Sequence, residues 1–394
     1  MQPSNPLNSP SSTPRTGGTG AGSGSGGGGA GRAVVRILVV DDSAFMRKAL
    51  VQLIESDSSL KVVDTACNGE EAVDKVKRLE PDVVTLDIEM PVLNGHEALK
   101  RIRRECRTLK NGLPAVLVCS SLTTEGSRDA LQALREGAAD VIAKESSNYS
   151  ANMGAMRDDL LEKIKAIAQS RSRVRQLLGT RPELPPYDSQ ALSLGGARIG
   201  LVAIGSSTGG PPVLETILKA LPANLPCPVV VAQHMPAVFT KTLAERLDQT
   251  CQVRVEHGER GTRLKPGVVC IIPGGTHGHL AGTPGNVHLE LSDEPKSEPY
   301  RPSTNVLFST AAAIFGRSCL GVVLTGMGED GKQGGMRLIQ AGAKILAQDP
   351  NSSVVYGMPK AAAAIGAVVM RPDHIAQTLQ SLATFATRTS TRAA

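Results

Sequence analysis

Five times between residues 36 and 168, a short run rich in valine, leucine and isoleucine gives way to a stretch of helical periodicity. This alternation narrows the fold more than any other feature of the chain. The spacing predicts strands at 36–42, 61–66, 82–88, 115–120 and 140–144, and helices at 44–55, 70–79, 97–105, 127–136 and 153–168. Strands joined by helix-length connections pair in parallel, and right-handed crossovers cover both faces of the sheet. An open five-stranded parallel sheet is therefore expected, with ligands gathering outside the carboxyl ends of its strands.

The alternation resumes after a break. Strand patterns lie at 198–204, 228–233, 267–272, 287–291, 320–325, 344–348 and 367–370, and helix patterns at 212–220, 237–248, 302–315, 334–341, 359–364 and 374–386. They predict a second α/β domain, doubly wound and mostly parallel, to which the turn-rich portion 251–300 adds a small antiparallel piece. The break at 171–196 carries Arg171, Arg173 and Arg175, then Gly179, Pro182, Pro185 and Pro186, with no sustained period, and reads as a linker. Residues 1–33 are mostly serine, proline, threonine and glycine, a composition that cannot offset its ordering entropy, so a disordered tail is expected. The organisation is thus a tail at 1–33, one domain at 34–155, a helix end and linker at 156–196, and a second domain at 197–388.

Composition excludes some classes. A net charge of +6 over 394 residues, two per cent aromatics and no tryptophan leave no basic-aromatic surface for nucleic acid. No uncharged apolar run nears the roughly 20 residues that cross a bilayer, and no signal-peptide core precedes the first strand. A soluble, cytoplasmic protein is expected. Its seven cysteines have no paired spacing, which suits reduced, buried thiols better than disulfides or zinc.

Polar residues sit where the first sheet should bind ligands. Asp41 and Asp42 close the first strand, Asp87 the third, Ser120 the fourth and Lys144 the fifth. Acids gathered this closely repel unless a cation joins them, and Mg²⁺ or the Lys144 ammonium suits the pocket. Helix capping explains any one acid, Asp42 before Ser43 for instance; acids, hydroxyl and lysine at successive strand ends favour a functional site.

In the second region, Gly205-Ser206-Ser207-Thr208-Gly209-Gly210-Pro211 places Ser207 on a strand-to-helix turn, where free N–H groups at a helix start stabilise an oxyanion. Alone, the stretch reads first as a tight turn or a phosphate cradle, ahead of a nucleophile. His234 follows the strand at 228–233, and Asp330 follows that at 320–325 through a glycine-containing loop. Singly these are a strand-end histidine and a helix cap; together they form a Ser-His-Asp pattern. The Gly-x-Ser-x-Gly spacing of Gly205, Ser207 and Gly209 matches the α/β-hydrolase elbow, but the order serine, histidine, acid does not.

Val39-Val40-Asp41-Asp42-Ser43, Leu86-Asp87-Ile88-Glu89-Met90-Pro91, Ser120-Ser121-Leu122-Thr123 and Ala143-Lys144 resemble a two-component receiver domain of flavodoxin-like fold. The resemblance implies that Asp87 accepts a phosphoryl group, that Asp41, Asp42, Asp87 and the Glu89 carbonyl hold Mg²⁺, and that Ser120 and Lys144 form the switch. Glu145 stands where receivers usually carry proline. The second region resembles the effector domain of chemotaxis protein-glutamate methylesterases, on Ile204-Gly205-Ser206-Ser207-Thr208-Gly209-Gly210, Gln233-His234-Met235-Pro236, Pro273-Gly274-Gly275-Thr276-His277, Arg301-Pro302-Ser303, Leu324-Thr325-Gly326-Met327-Gly328-Glu329-Asp330-Gly331 and Tyr356-Gly357-Met358-Pro359.

That resemblance implies Ser207 as nucleophile, His234 as base and Asp330 as its orienting acid, with the Met327 N–H as an oxyanion donor and no metal in this half; His277 receives no role. Its implied substrates are glutamyl methyl esters on chemoreceptors, with deamidation of receptor glutamines as a second activity and a chemotaxis histidine kinase as phosphodonor. A monomer is expected, with the receiver packed over the catalytic mouth until Asp87 is phosphorylated and the surface near Ser120 changes. A DNA-binding regulator, a small-molecule esterase and an inactive adaptor are the competing readings. The first would need a short, basic helical output domain instead of an α/β domain of this size.

Overall fold

The computed structural model describes residues 34–144, 153–177 and 198–390. The expected tail at 1–33, Glu145 and most of the expected linker lie outside the described residues. From Val34 onward the chain forms one compact unit containing two large sheets.

The first sheet is built from β1 (Val35–Val40), β2 (Leu60–Ala66), β3 (Val83–Asp87), β4 (Ala115–Ser121) and β5 (Asp140–Lys144), all parallel and in the order β2-β1-β3-β4-β5. Helices α1 (Ala44–Glu55), α2 (Gly69–Leu79), α3 (Gly95–Glu105), α4 (Thr124–Glu136) and α5 (Met153–Leu177) cover its faces. Central β3 is buried along its whole length, which is why it reads as an apolar run rather than an alternation. Ser43, Asn68, Asn94 and Thr123 cap the first four helices, each accepting a backbone N–H with its side chain. The cap of α1 is therefore Ser43 and not Asp42. Helix α5 runs past the expected end at residue 168, through Arg171, to Leu177, because nothing in that stretch breaks a helix before Gly179.

The second sheet has seven parallel strands, in the order β14-β13-β12-β6-β7-β9-β8. They are β6 (Leu201–Ser206), β7 (Val229–Gln233), β8 (Arg254–His257), β9 (Val268–Ile271), β12 (Cys319–Val323), β13 (Lys344–Gln348) and β14 (Val368–Met370). Six helices flank them: α6 (Gly210–Lys219), α7 (Ala237–Thr250), α8 (Thr304–Phe315), α9 (Lys332–Gln340), α10 (Met358–Ala364) and α11 (Pro372–Ser390). The antiparallel piece is a separate hairpin of β10 (His277–Thr283) and β11 (Asn286–Ser292), lying against α8. Strands β8 and β10 were not expected from the sequence. β8 has four residues with one fully buried, and β10 interleaves glycine and histidine with its apolar positions, so neither shows a clean period.

The chain starts this sheet at β6, adds β7 on one side, and later returns to add β12 on the other. Strand order therefore reverses between β6 and β12, and a crevice opens there beyond their carboxyl ends.

Candidate active site

Three loops leave the sheet at that reversal, and each carries one of the chemically active residues. Ser207 follows β6. Its N–H donates to Thr325 O at 3.0 Å, and its carbonyl accepts from Gln233 Nε2 at 3.0 Å and Gly210 N–H at 2.8 Å, so its backbone is held on three sides. Gly209, in the left-handed region at φ +75°, starts α6; a side chain there would be strained and would strike Val354. His234 follows β7, with its N–H on Ser206 O at 3.0 Å.

Asp330 follows β12 and organises the rest. Its Oδ2 lies 2.8 Å from His234 Nε2 and accepts Thr304 N–H at 2.7 Å. Its Oδ1 accepts Ser303 Oγ–H at 3.0 Å and the N–H groups of Asn305 and Gly331 at 2.8 and 2.9 Å. The carboxylate thus sits on the amino terminus of α8, capped by Ser303, more than on that of α9. Burial alone would push its pKa up, but the hydrogen bond and charge of His234 and the α8 N–H groups outweigh it and leave Asp330 below the usual range, hence ionised.

With Nε2 committed to Asp330, the nitrogen left for another partner is Nδ1, which is buried and has none among the described residues. Among the described residues no hydrogen bond yet joins it to Ser207, a looseness usual before substrate binds. The Gly326-Met327-Gly328 loop passes Ser207 so closely that a Cβ on Gly326 would lie 2.7 Å from Ser207 Cβ. The Gly326 carbonyl is used by Gly357 and Met358, whereas the Met327 N–H donates to no described residue. His277 is fully buried; its Nδ1 accepts the Ser303 N–H at 3.3 Å, so it steadies the α8 start from behind.

Two contributors escaped the sequence reading. Ser303 was legible as a cap before an apolar helix. Tyr300 was not, since nothing in its local pattern signals a ring stacked on His234, with centroids 4.6 Å apart and planes 13° from parallel.

At the first sheet, the Asp41, Asp42 and Asp87 carboxylates offer oxygens within 4.8 Å of one another, and Lys144 Nζ lies 2.7 Å from both Asp41 and Asp87. Asp42 is exposed, and Glu89 follows in the loop after β3 with its side chain in solvent. This all-oxygen set fits Mg²⁺, which keeps several waters and takes few carboxylates. Ser120 Oγ–H donates to Gly126 O at 2.7 Å in the first turn of α4, and not to Asp87.

Burial, opposed by Lys144, raises the pKa of Asp87 above 3.8. The folded protein then binds that proton more tightly than the unfolded chain does. Asp87 therefore favours the fold most below pH 3.8, and that stability is lost as pH rises through the raised value. Metal-free Asp87→Asn protein should accordingly melt higher than the parent at pH 7. Mg²⁺ should stabilise the parent by about 1.4 kcal/mol at tenfold Kd, raising its midpoint, and leave the variant nearly unchanged. Calorimetry with and without Mg²⁺ checks both.

The two sheets' helices meet over the catalytic crevice. Thr208 Oγ1–H, beside Ser207, donates to Asp140 of β5 at 2.7 Å; Ser127 of α4 pairs with Thr242 of α7 at 2.6 Å; Tyr300 Oη–H donates to Glu162 of α5 at 2.9 Å. Met327 and Val355 enter the same apolar cluster as Leu160 and Leu161 of α5. Beneath these contacts Ser207 is left 6% exposed.

Comparison with known proteins finds relatives of both halves of the chain. Residues 37–150 match the model of the response regulator receiver domain, and residues 202–379 that of the CheB methylesterase. A protein-glutamate methylesterase/protein-glutamine glutaminase of Oleidesulfovibrio alaskensis is 42% identical over 372 residues, covering 88% of this chain and 99% of its own. A similarly named protein of Vibrio cholerae is 40% identical over 359 residues, covering 84% and 94%. Among solved structures, the Thermotoga maritima CheB methylesterase catalytic domain is 40% identical, covering 47% of this chain and 98% of that one, with a TM-score of 0.45. The response regulator domain of the same organism's CheB is 44% identical, covering 38% and 99%, with a TM-score of 0.30.

Proposed function

The chain belongs to the protein-glutamate methylesterase/protein-glutamine glutaminase family, a carboxylic ester hydrolase of chemotaxis with its own receiver domain, and from that membership we propose how its residues act. Ser207 attacks the carbonyl of a glutamyl methyl ester on a chemoreceptor while His234 Nδ1 takes its proton, and Asp330 steadies the imidazolium through Nε2. The Met327 N–H receives the oxyanion. The imidazolium of His234 then protonates the departing methoxide, which leaves as methanol, and water, deprotonated by His234, attacks the acyl-enzyme and frees the glutamate and Ser207. Attack on a glutamine amide releases ammonia through the same acyl-enzyme. The 2.8 Å contact between His234 and Asp330 carries this reading, because it orients a base beside a serine on a backbone-held turn. Methanol release from methylated receptor membranes tests it.

Regulation follows from the interdomain contacts. A chemotaxis histidine kinase supplies the phosphoryl group to Asp87, with Mg²⁺ held by Asp41, Asp42, Asp87 and the Glu89 carbonyl to offset charge, and Lys144 pairing with the phosphoryl oxygens. Ser120 now holds Gly126, the neighbour of Ser127, whose hydroxyl grips Thr242 across the interface. Drawing Ser120 toward a phosphoryl group loosens the α4 start and with it the cover over Ser207. The enzyme works as a cytoplasmic monomer in receptor adaptation, and among the described residues no helix is long and apolar enough to cross a membrane. With a small phosphodonor and Mg²⁺ the methanol-release rate should rise about tenfold or more. Asp87→Asn protein should show no rise, and an equal rise there would remove Asp87 from the mechanism.

A further inference from the structure

We propose that Tyr300 is a positioning residue for His234 and the point at which the receiver's α5 reaches the catalytic base. The inference rests on His234 being that base. One face of the imidazole lies against the Tyr300 ring, at 4.6 Å and 13°. The Asp330 bond fixes Nε2 but leaves the ring free to swing about that contact, and a stacked neighbour removes this freedom. An aromatic face also attracts a cation more than a neutral ring, so the contact strengthens as His234 becomes imidazolium, which is when it helps catalysis.

Tyr300 cannot choose its place alone. It lies in the loop between the β10–β11 hairpin and α8, and its hydroxyl is bonded to Glu162, a residue of the receiver's last helix. Tyr300 Oη also lies 3.5 Å from where a Cβ on Gly328 would be, so the ring lines the oxyanion loop as well. A single side chain therefore touches the base, the oxyanion loop and the regulatory domain. Moving α5 would shift the ring across the imidazole and change the turnover of the site, besides uncovering it.

The test uses the full chain and initial rates of methanol release from methylated receptor membranes, with and without a small phosphodonor and Mg²⁺. Tyr300→Ala should lower kcat about three- to tenfold in the phosphodonor-treated state with KM within about twofold. Tyr300→Phe, which keeps the ring and loses the bond to Glu162, should restore that kcat and raise the untreated rate; Glu162→Ala should do the same. Ser127→Ala, which removes an interdomain bond remote from the triad, should leave the treated kcat unchanged. Unaltered kcat in Tyr300→Ala, or an equal loss in Tyr300→Phe, would overturn the proposal. Melting midpoints and Asp87 phosphorylation, measured on each variant, show whether a lost rate is merely lost fold. Retained hydrolysis by Ser207→Ala protein would instead strike at the triad.

Discussion

Replacing Ser207 with alanine should cut methanol release by about 10⁴- to 10⁶-fold while leaving the fold and Asp87 phosphorylation intact. The backbone of residue 207 is held by Thr325, Gln233 and Gly210 through groups that alanine also has, so the turn persists without its hydroxyl. Receptor binding should persist too, which separates lost chemistry from lost recognition. A purified variant that still releases methanol at the parent rate would place the nucleophile elsewhere.

Asp330 should give the second large effect, and in two measurements at once. Asp330→Asn should lower kcat by about 10⁴-fold, because an amide cannot stabilise the imidazolium and favours the wrong ring tautomer. Asp330→Ala should also destabilise the protein by about 2–4 kcal/mol, since it strands the Thr304 and Asn305 N–H groups in a buried place, whereas the Gly331 N–H and the Ser303 hydroxyl keep Asn305 Oδ1 and Glu298 Oε2. The sign of its pH dependence follows from a folded pKa below the ordinary 3.8. The stabilisation is fully present above pH 3.8 and is lost as pH falls through the depressed folded value. The melting difference between parent and variant should hold steady near neutrality and shrink in acid; a difference that grew in acid would contradict the geometry.

Much of this was legible before any coordinates. Two runs of alternation announced two sheets, because a fully buried parallel strand must be apolar throughout and its crossover helix must show one apolar stripe. Asp41, Asp87, Ser207 and His234 stood out because they end such runs. Other parts had no local signal. Strand β8 is short and half exposed, β10 mixes histidine with glycine, and α5 ends in arginines that read as a linker although none of them breaks a helix.

The sequence by itself determined most of the strands and helices and the residues at their ends, since periodicity, capping and turn chemistry act over a few residues at a time. Only the tertiary structure decided which nitrogen of His234 faces Asp330, that the α8 terminus holds that acid ionised, and that Tyr300 lies between the base and Glu162. Each of these joins groups far apart in the chain across a shared crevice. Their energies depend on distance and burial, which no local pattern of residues encodes.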